Sequence, residues 1–305
     1  MRTARLLLIP LSAAVMIGCG QSDPGTPATA PPTTPNSTTQ STTTQSLTAA
    51  TPSAMPPSTI PTTAMQPPGQ GVQVSVYFVQ GEKVAATRRA AVGTGPAAGA
   101  VRALLAGPTT AERQAGMSSS VPAGTQVRGV SLASGVATVD LTGTYASGGG
   151  SLSMFTRLAQ VVFTLTQFPS VHSVLFRLDG RPVTAFGGEG IVLDRPVGRT
   201  DFEDYSPAVL IESPTFGSTV RTPLRIHGTA NTFEATFRLS LVDATGATVF
   251  DQPVMATSGT GTRGTFDVTM RFTIARPGPA TLAAWYSSPR DGSRVDVAAV
   301  RVELR

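Results

Sequence analysis

Hydrophobic and polar positions are spread unevenly along this chain, and the spacing changes character three times. Residues 6–17 form an apolar run interrupted by Pro10. It is shorter than the ~20 apolar residues a bilayer span needs. Residues 20–70 are rich in Thr, Pro, Ser, Ala and Gln, with no aromatic residue and a single charge, Asp23. Such a segment buries too little apolar surface to offset the ordering of its backbone, which predicts a disordered tether. Periodic patterning starts at residue 71. Alternation over 72–79 predicts a strand. Ala100, Val101, Leu104 and Leu105 follow Pro96 at helical spacing, and Gly107-Pro108 ends that helix. Segments 127–132 and 136–141 read as a hairpin across Ala133-Ser134-Gly135. Ser151 is expected to cap a second helix running to about Phe168, before Pro169. A strand over 171–178 then turns at Asp179-Gly180 into 181–185. The order β-α-β-β-α-β-β predicts an α+β module with helices on a sheet.

After a short acidic connector, strand candidates recur at 208–212, 224–228, 233–243, 247–255, 264–274, 280–288 and 294–304. Seven short strands in about 100 residues predict an all-β immunoglobulin-like sandwich. The expected organisation is a 1–18 leader, a 19–70 tether, an α+β domain at 71–197, a 198–206 connector and a β-sandwich at 207–305.

Charge changes this picture little. The formal balance is 23 − 18 = +5. Lys83 is the only lysine, so the basic residues are otherwise arginines. They are scattered, with no basic stripe interleaved with aromatics, and nucleic acid is not an expected partner.

The single cysteine does change it. Cys19 cannot form an internal disulfide, and it closes the apolar run that follows the basic Arg2 and Arg5. This arrangement fits a signal peptide. Met16-Ile17-Gly18-Cys19 resembles the bacterial lipobox. That resemblance implies a diacylglyceryl group on the Cys19 thiol and cleavage before it. The membrane partner is then reached through a lipid anchor at Cys19, on the outer face of the cell membrane. Two or more acyl chains hold a protein far more firmly than one.

Further motifs carry a second resemblance. Val76-Tyr77-Phe78-Val79, Leu104-Leu105-Ala106-Gly107-Pro108-Thr109 and Ser120-Val121-Pro122-Ala123-Gly124-Thr125 occur in that order. Ala137-Thr138-Val139-Asp140-Leu141, the 160–168 segment and Asp179-Gly180 follow. Together they resemble the GerMN domain, named after a Gram-positive sporulation and germination lipoprotein. The resemblance implies protein–protein contact rather than catalysis, and the sequence shows one copy of the pattern. In the C-terminal part, Ile211-Glu212-Ser213-Pro214, His227-Gly228-Thr229-Ala230, Phe233-Glu234-Ala235 and Ser293-Arg294-Val295-Asp296 resemble the immunoglobulin-like domain of bacterial spore germination.

Candidate chemistry is sparse. The chain has two histidines. His172 falls on one strand face with Val174 and Phe176, where a structural role is expected. His227 falls on a polar face with Arg225. No nucleophile-elbow motif accompanies them, and two His with one Cys suit no zinc site. Glu203-Asp204 is expected to be solvated. Phe186-Gly187-Gly188-Glu189-Gly190 reads as a loop, not a phosphate-binding motif. The second helix is apolar on most sides, as a buried core helix is, although an exposed docking patch has the same pattern. No catalytic residue, metal ligand or cofactor site is assigned. The expected function is a non-catalytic envelope interaction or scaffold module with an envelope protein as partner. The alternatives are a binding module for a cell-wall polymer or small ligand, with Trp285-Tyr286 at a cleft, and an envelope hydrolase.

Overall fold

The computed structural model describes residues 71–305 other than Thr94, Gly188 and Glu189. The leader, Cys19 and the Thr/Pro-rich segment lie outside the described residues.

The N-terminal region is mixed α/β. Strand β1 (Val72–Gln80) pairs antiparallel with β2 (Lys83–Ala91) along their whole length. β2 had no signal in the pattern, because its alanines and arginines are weak strand formers. Pairing with the buried β1 overrides that preference. Helix α1 (Pro96–Leu105) stops before Gly107-Pro108 as the spacing predicts. The short α2 (Thr110–Gln114) and β3 (Met117–Ser118) were not predicted. β4 (Val127–Ala133) and β5 (Val136–Leu141) form the expected hairpin, with Ser134 and Gly135 both at positive φ in its two-residue turn. α3 (Ser151–Leu165) crosses over to β6 (Ser173–Leu178), which pairs parallel with β5. β7 (Arg181–Pro182) extends this sheet, and β8 (Ala185–Phe186) pairs with β9 (Ile191–Val192).

Two details of α3 differ from the pattern reading. Gly150 occupies the N-cap and Ser151 is the first helical residue. The helix ends at Leu165, because Gln167 turns back onto β1. Its amide accepts from Ser75 N and donates to Ser75 O, both at 2.5 Å. Thr164 Oγ1 accepts from Tyr77 N at 3.2 Å, and Gln160 Nε2 donates to Tyr77 O at 3.1 Å. β3 pairs with β1 only at Val79 and Gln80. Gln160, Thr164 and Gln167 therefore satisfy a sheet edge inside the core, where an unmade bond is costly. The helix is otherwise a core helix, buried from Thr156 to Leu165.

Glu112 organises the α2 corner. It completes a capping box with Thr109 and bonds Arg89 and Thr87. Burial opposes its ionisation, but the bonds from Arg89, Thr87 and the Thr109 backbone outweigh it and push its pKa from 4.5 down to about 2. A carboxyl depressed in the folded state stabilises above its unfolded pKa, and that contribution is lost as pH falls through about 2. Urea titrations should therefore show stability falling from pH 5 toward about pH 2, with a flatter acid limb in Glu112→Gln.

The C-terminal region is a two-sheet sandwich. β10 (Val209–Ser213), β12 (Leu224–Ala230) and β15 (Gly264–Met270) form one sheet, in that order. The other has the order β11 (Thr219–Val220), β17 (Arg294–Leu304), β16 (Gly278–Ser287), β13 (Thr236–Asp243) and β14 (Thr248–Met255). Leu224, Ile226 and Ala230 of β12 point inward while Arg225 is exposed. Gly228 lies so close to β10 that a Cβ there would fall 2.0 Å from Leu210 O. The strand expected at 233–243 begins only at Thr236. Phe233–Ala235 is a tight turn, with Glu234 and Ala235 at positive φ. The strand expected at 264–274 ends at Met270.

The two regions have separate cores that share a strand. Val209 and Ile211 of β10 face the sandwich core, and Leu210 between them packs into the α/β core. Phe216 also packs against the α/β core.

Candidate functional site

At the junction a network of half-buried polar side chains joins the two regions. Residues 199–205 form a 3-10 segment rather than an open connector. From it Arg199 enters between the cores. Its Nη1 donates to Glu212 Oε1 of β10 at 2.8 Å, its Nη2 to the Tyr77 hydroxyl of β1 at 3.2 Å, and its Nε to Thr166 Oγ1 at 2.9 Å. The guanidinium also lies over Phe163 and Tyr77, 4.8 and 5.4 Å from the ring centroids. Tyr77 donates in turn to Glu212. Burial, then the Glu212 charge, pushes the phenol pKa up, so it stays a donor. Of the pair expected to be solvated, Asp204 is exposed, while Glu203 is only partly exposed and is held by ion-pair and amide partners. Glu203 accepts from Arg263 Nε at 2.8 Å and Asn231 Nδ2 at 2.8 Å, and these bonds overcome burial to lower its pKa.

Beside this network runs an apolar groove of about 290 Å³. Val84, Ala86 and Met117 line one side, and β17 residues 296–300 line the other. Both flanks are sheet edges. β2 is the terminal strand of its sheet. β17 pairs with β11 only at Glu303 and Leu304. Arg301 O accepts from Gly217 N, and Glu303 N donates to Ser218 O. By the two-residue period, the backbone groups of Ala299 face the same side, where they meet no strand among the described residues.

The other candidate residues do not come together. His172 is exposed just before β6, packed on Gly135, so the strand face predicted for it does not form. His227 is half-buried on β12, paired across the sheet with Asp267. Trp285 lies between Arg238 and Arg294, 5.3 and 4.7 Å from its ring, while Tyr286 lines a separate cleft. No group of three or more His, Cys, Asp or Glu that could hold a metal occurs among the described residues. No described helix is long and apolar enough to cross a membrane. The junction network was not read from the sequence. Its one signal was a buried-strand tyrosine, whose hydroxyl needs a partner.

Family comparison accounts for both regions. Residues 75–184 match the family model described as "Sporulation and spore germination", and residues 208–293 match the "Immunoglobulin-like domain of bacterial spore germination". The chain thus contains a stretch that matches each of these two family models. The described part is a mixed α/β GerMN-like region followed by a β-rich region. Among solved structures, the tandem GerMN domains of the sporulation protein GerM from Bacillus subtilis are similar at 17% identity and a TM-score of 0.37. That alignment covers 67% of this chain and 62% of the tandem structure. The first GerMN domain of the same protein is similar at 21% identity and a TM-score of 0.36, covering 43% of this chain and 99% of that one. No curated protein matches the chain.

Proposed function

We propose that the protein is a non-catalytic interaction module of the cell envelope, held on the outer membrane face by lipid on Cys19. In this reading the junction groove takes an extended segment of an envelope protein. The observation that carries it is the open edge of β17 beside an apolar trough. An added strand would complete the ladder at Ala299, and its alternate side chains would fill the trough. The junction network favours such a role, because it holds the two flanks of the groove in fixed register. Sporulation and germination families supply the biological setting, and Cys19 at the end of a short apolar run supplies the anchor.

Photocross-linking in intact cells tests both halves of the reading. A photoreactive residue at exposed Asp296, which lines the groove, should trap a discrete partner, whereas one at Thr245, in the β13–β14 turn, should not. Ala299→Pro removes an N–H that points to the open edge, a position where a strand tolerates proline. It should fold normally and lose the cross-link. Cys19→Ala should leave the membrane fraction. An unchanged cross-link from Ala299→Pro refutes the edge, and a membrane-bound, processed Cys19→Ala refutes the anchor.

A further inference from the structure

A second concavity lies in the immunoglobulin-like domain, away from the junction groove. It is a cleft of about 510 Å³ lined by Asn231, Thr232, Phe233, Phe237, Tyr286 and Pro289, among others. That volume falls within the range of small-ligand sites. We infer that this cleft binds an uncharged pyranose ring of a polysaccharide.

Three observations carry the inference. The first is a displayed aromatic. Phe233 is 70% exposed, yet its backbone is tightly held. Glu234 and Ala235 both sit at positive φ, a conformation non-glycine residues keep only when their surroundings enforce it. The 257–262 loop supplies that enforcement. Thr260 N donates to Thr232 O at 2.9 Å, and Glu234 N donates to Thr260 Oγ1 at 3.0 Å. Gly259 approaches so closely that a Cβ there would fall 2.4 Å from Thr232 O. A large apolar ring held exposed on a braced turn is the arrangement of a binding anchor.

The second is an unspent polar atom. Thr232 is 6% exposed, and its hydroxyl has no hydrogen-bond partner among the described residues. Such a group is costly unless something completes it. Asn231 beside it is fixed by Glu203 on its Nδ2 and by Gly261 N on its Oδ1. Each amide edge keeps one further bond in reserve.

The third is charge. Among the described residues Arg238 is the one charged residue lining the cleft, and its Nε is already committed to Asp251 Oδ1 at 2.7 Å. An ionic ligand would find no free counter-charge, so the occupant is neutral. It must offer C–H faces to Phe233 and Tyr286, and both donors and acceptors to Thr232 and Asn231. A pyranose does so, because every hydroxyl both donates and accepts. A polyproline peptide stacks equally well on aromatic rings but has no backbone N–H to donate.

The test uses the full chain, with Trp285 as reporter. It is the only tryptophan, and it lies against Arg238 at the cleft. Three uncharged tetrasaccharides are titrated: β-1,4-linked N-acetylglucosamine, β-1,4-linked glucose and α-1,4-linked glucose. Decaproline is titrated beside them, with saturation-transfer NMR as a second readout. At least one tetrasaccharide should bind saturably at about millimolar strength. Binding should weaken about tenfold in Phe233→Ala and in Tyr286→Ala, since each removes one stacking face. Thr232→Val keeps the shape and removes the hydroxyl, and should weaken binding several-fold. No tetrasaccharide binding at about 10 mM overturns the inference. So does binding that ignores both aromatic substitutions, or binding of decaproline alone.

Discussion

Arg157→Ala is expected to cost about 3 kcal/mol or more of folding stability, and to lower the melting temperature by about 6–12 °C for a unit of this size. Arg157 is 2% exposed, and among the described residues its charge meets no carboxylate. Carbonyl oxygens satisfy it instead. Nη1 donates to Tyr145 O at 2.6 Å and Ser147 O at 3.2 Å, Nη2 to Gly148 O at 3.0 Å, and Nε to Ser120 O at 3.2 Å. Burial lowers its pKa, with the Tyr145 environment acting in the other direction. The side chain therefore pins two loops to α3 from inside the core. Truncation removes donors from four carbonyls at once and opens a void against Tyr145 and Phe186, whose rings lie 5.9 Å from the guanidinium carbon. Arg157→Met restores much of the volume but none of the donors, and should recover only part of the loss. Urea unfolding of the three proteins decides the matter. A cost below about 1 kcal/mol for Arg157→Ala would show that water replaces the side chain freely.

Arg199→Met should uncouple the two domains. The Glu212 carboxylate keeps the Tyr77 hydroxyl but loses its only ion-pair partner among the described residues, and removing one member of a buried pair costs about 3–5 kcal/mol. Partial exposure of both groups places the expected loss below that range, at about 2–3 kcal/mol. The form of the transition matters more than its midpoint. With the junction intact, β10 serves both cores and unfolding should be a single step. In Arg199→Met the sandwich and the α/β core should melt separately, and protease should cut within residues 198–206. Adding Glu212→Gln removes the stranded charge and should restore part of the coupling. A single unshifted transition in Arg199→Met would mean that apolar packing by Leu210 and Phe216 joins the domains without the network.

Elements with a strong local cause were legible in the sequence. The 72–79 alternation, the Pro96 start and Gly107-Pro108 stop of α1, and the turns within 133–135 and at 179–180 all have short-range physical reasons. β2 had none, since Lys83-Val84-Ala85-Ala86-Thr87-Arg88-Arg89 is a strand only because β1 lies beside it. Phe233-Glu234-Ala235 read as the start of a strand, because its αL turn is imposed by Gly259 and Thr260, far away in sequence. For the same reason the cleft beside it was not visible as a site, although Tyr286 was singled out.

The sequence by itself determined the order of the domains, the α/β and all-β characters of the two regions, and the residue types that fill each core. Periodicity sets these, and it is a property of neighbours in the chain. Tertiary structure alone decided which polar groups were spent. Glu203 looked solvated and is bonded to Arg263 and Asn231, while Thr232, which no pattern marks, is buried with its hydroxyl unpartnered among the described residues. It also decided that β10 divides its side chains between two cores and that β17, around Ala299, meets no further strand among the described residues. Hydrogen-bond satisfaction depends on which atoms meet across long stretches of chain, as Glu203 and Arg263 do at a separation of 60 positions, and no local pattern encodes that meeting.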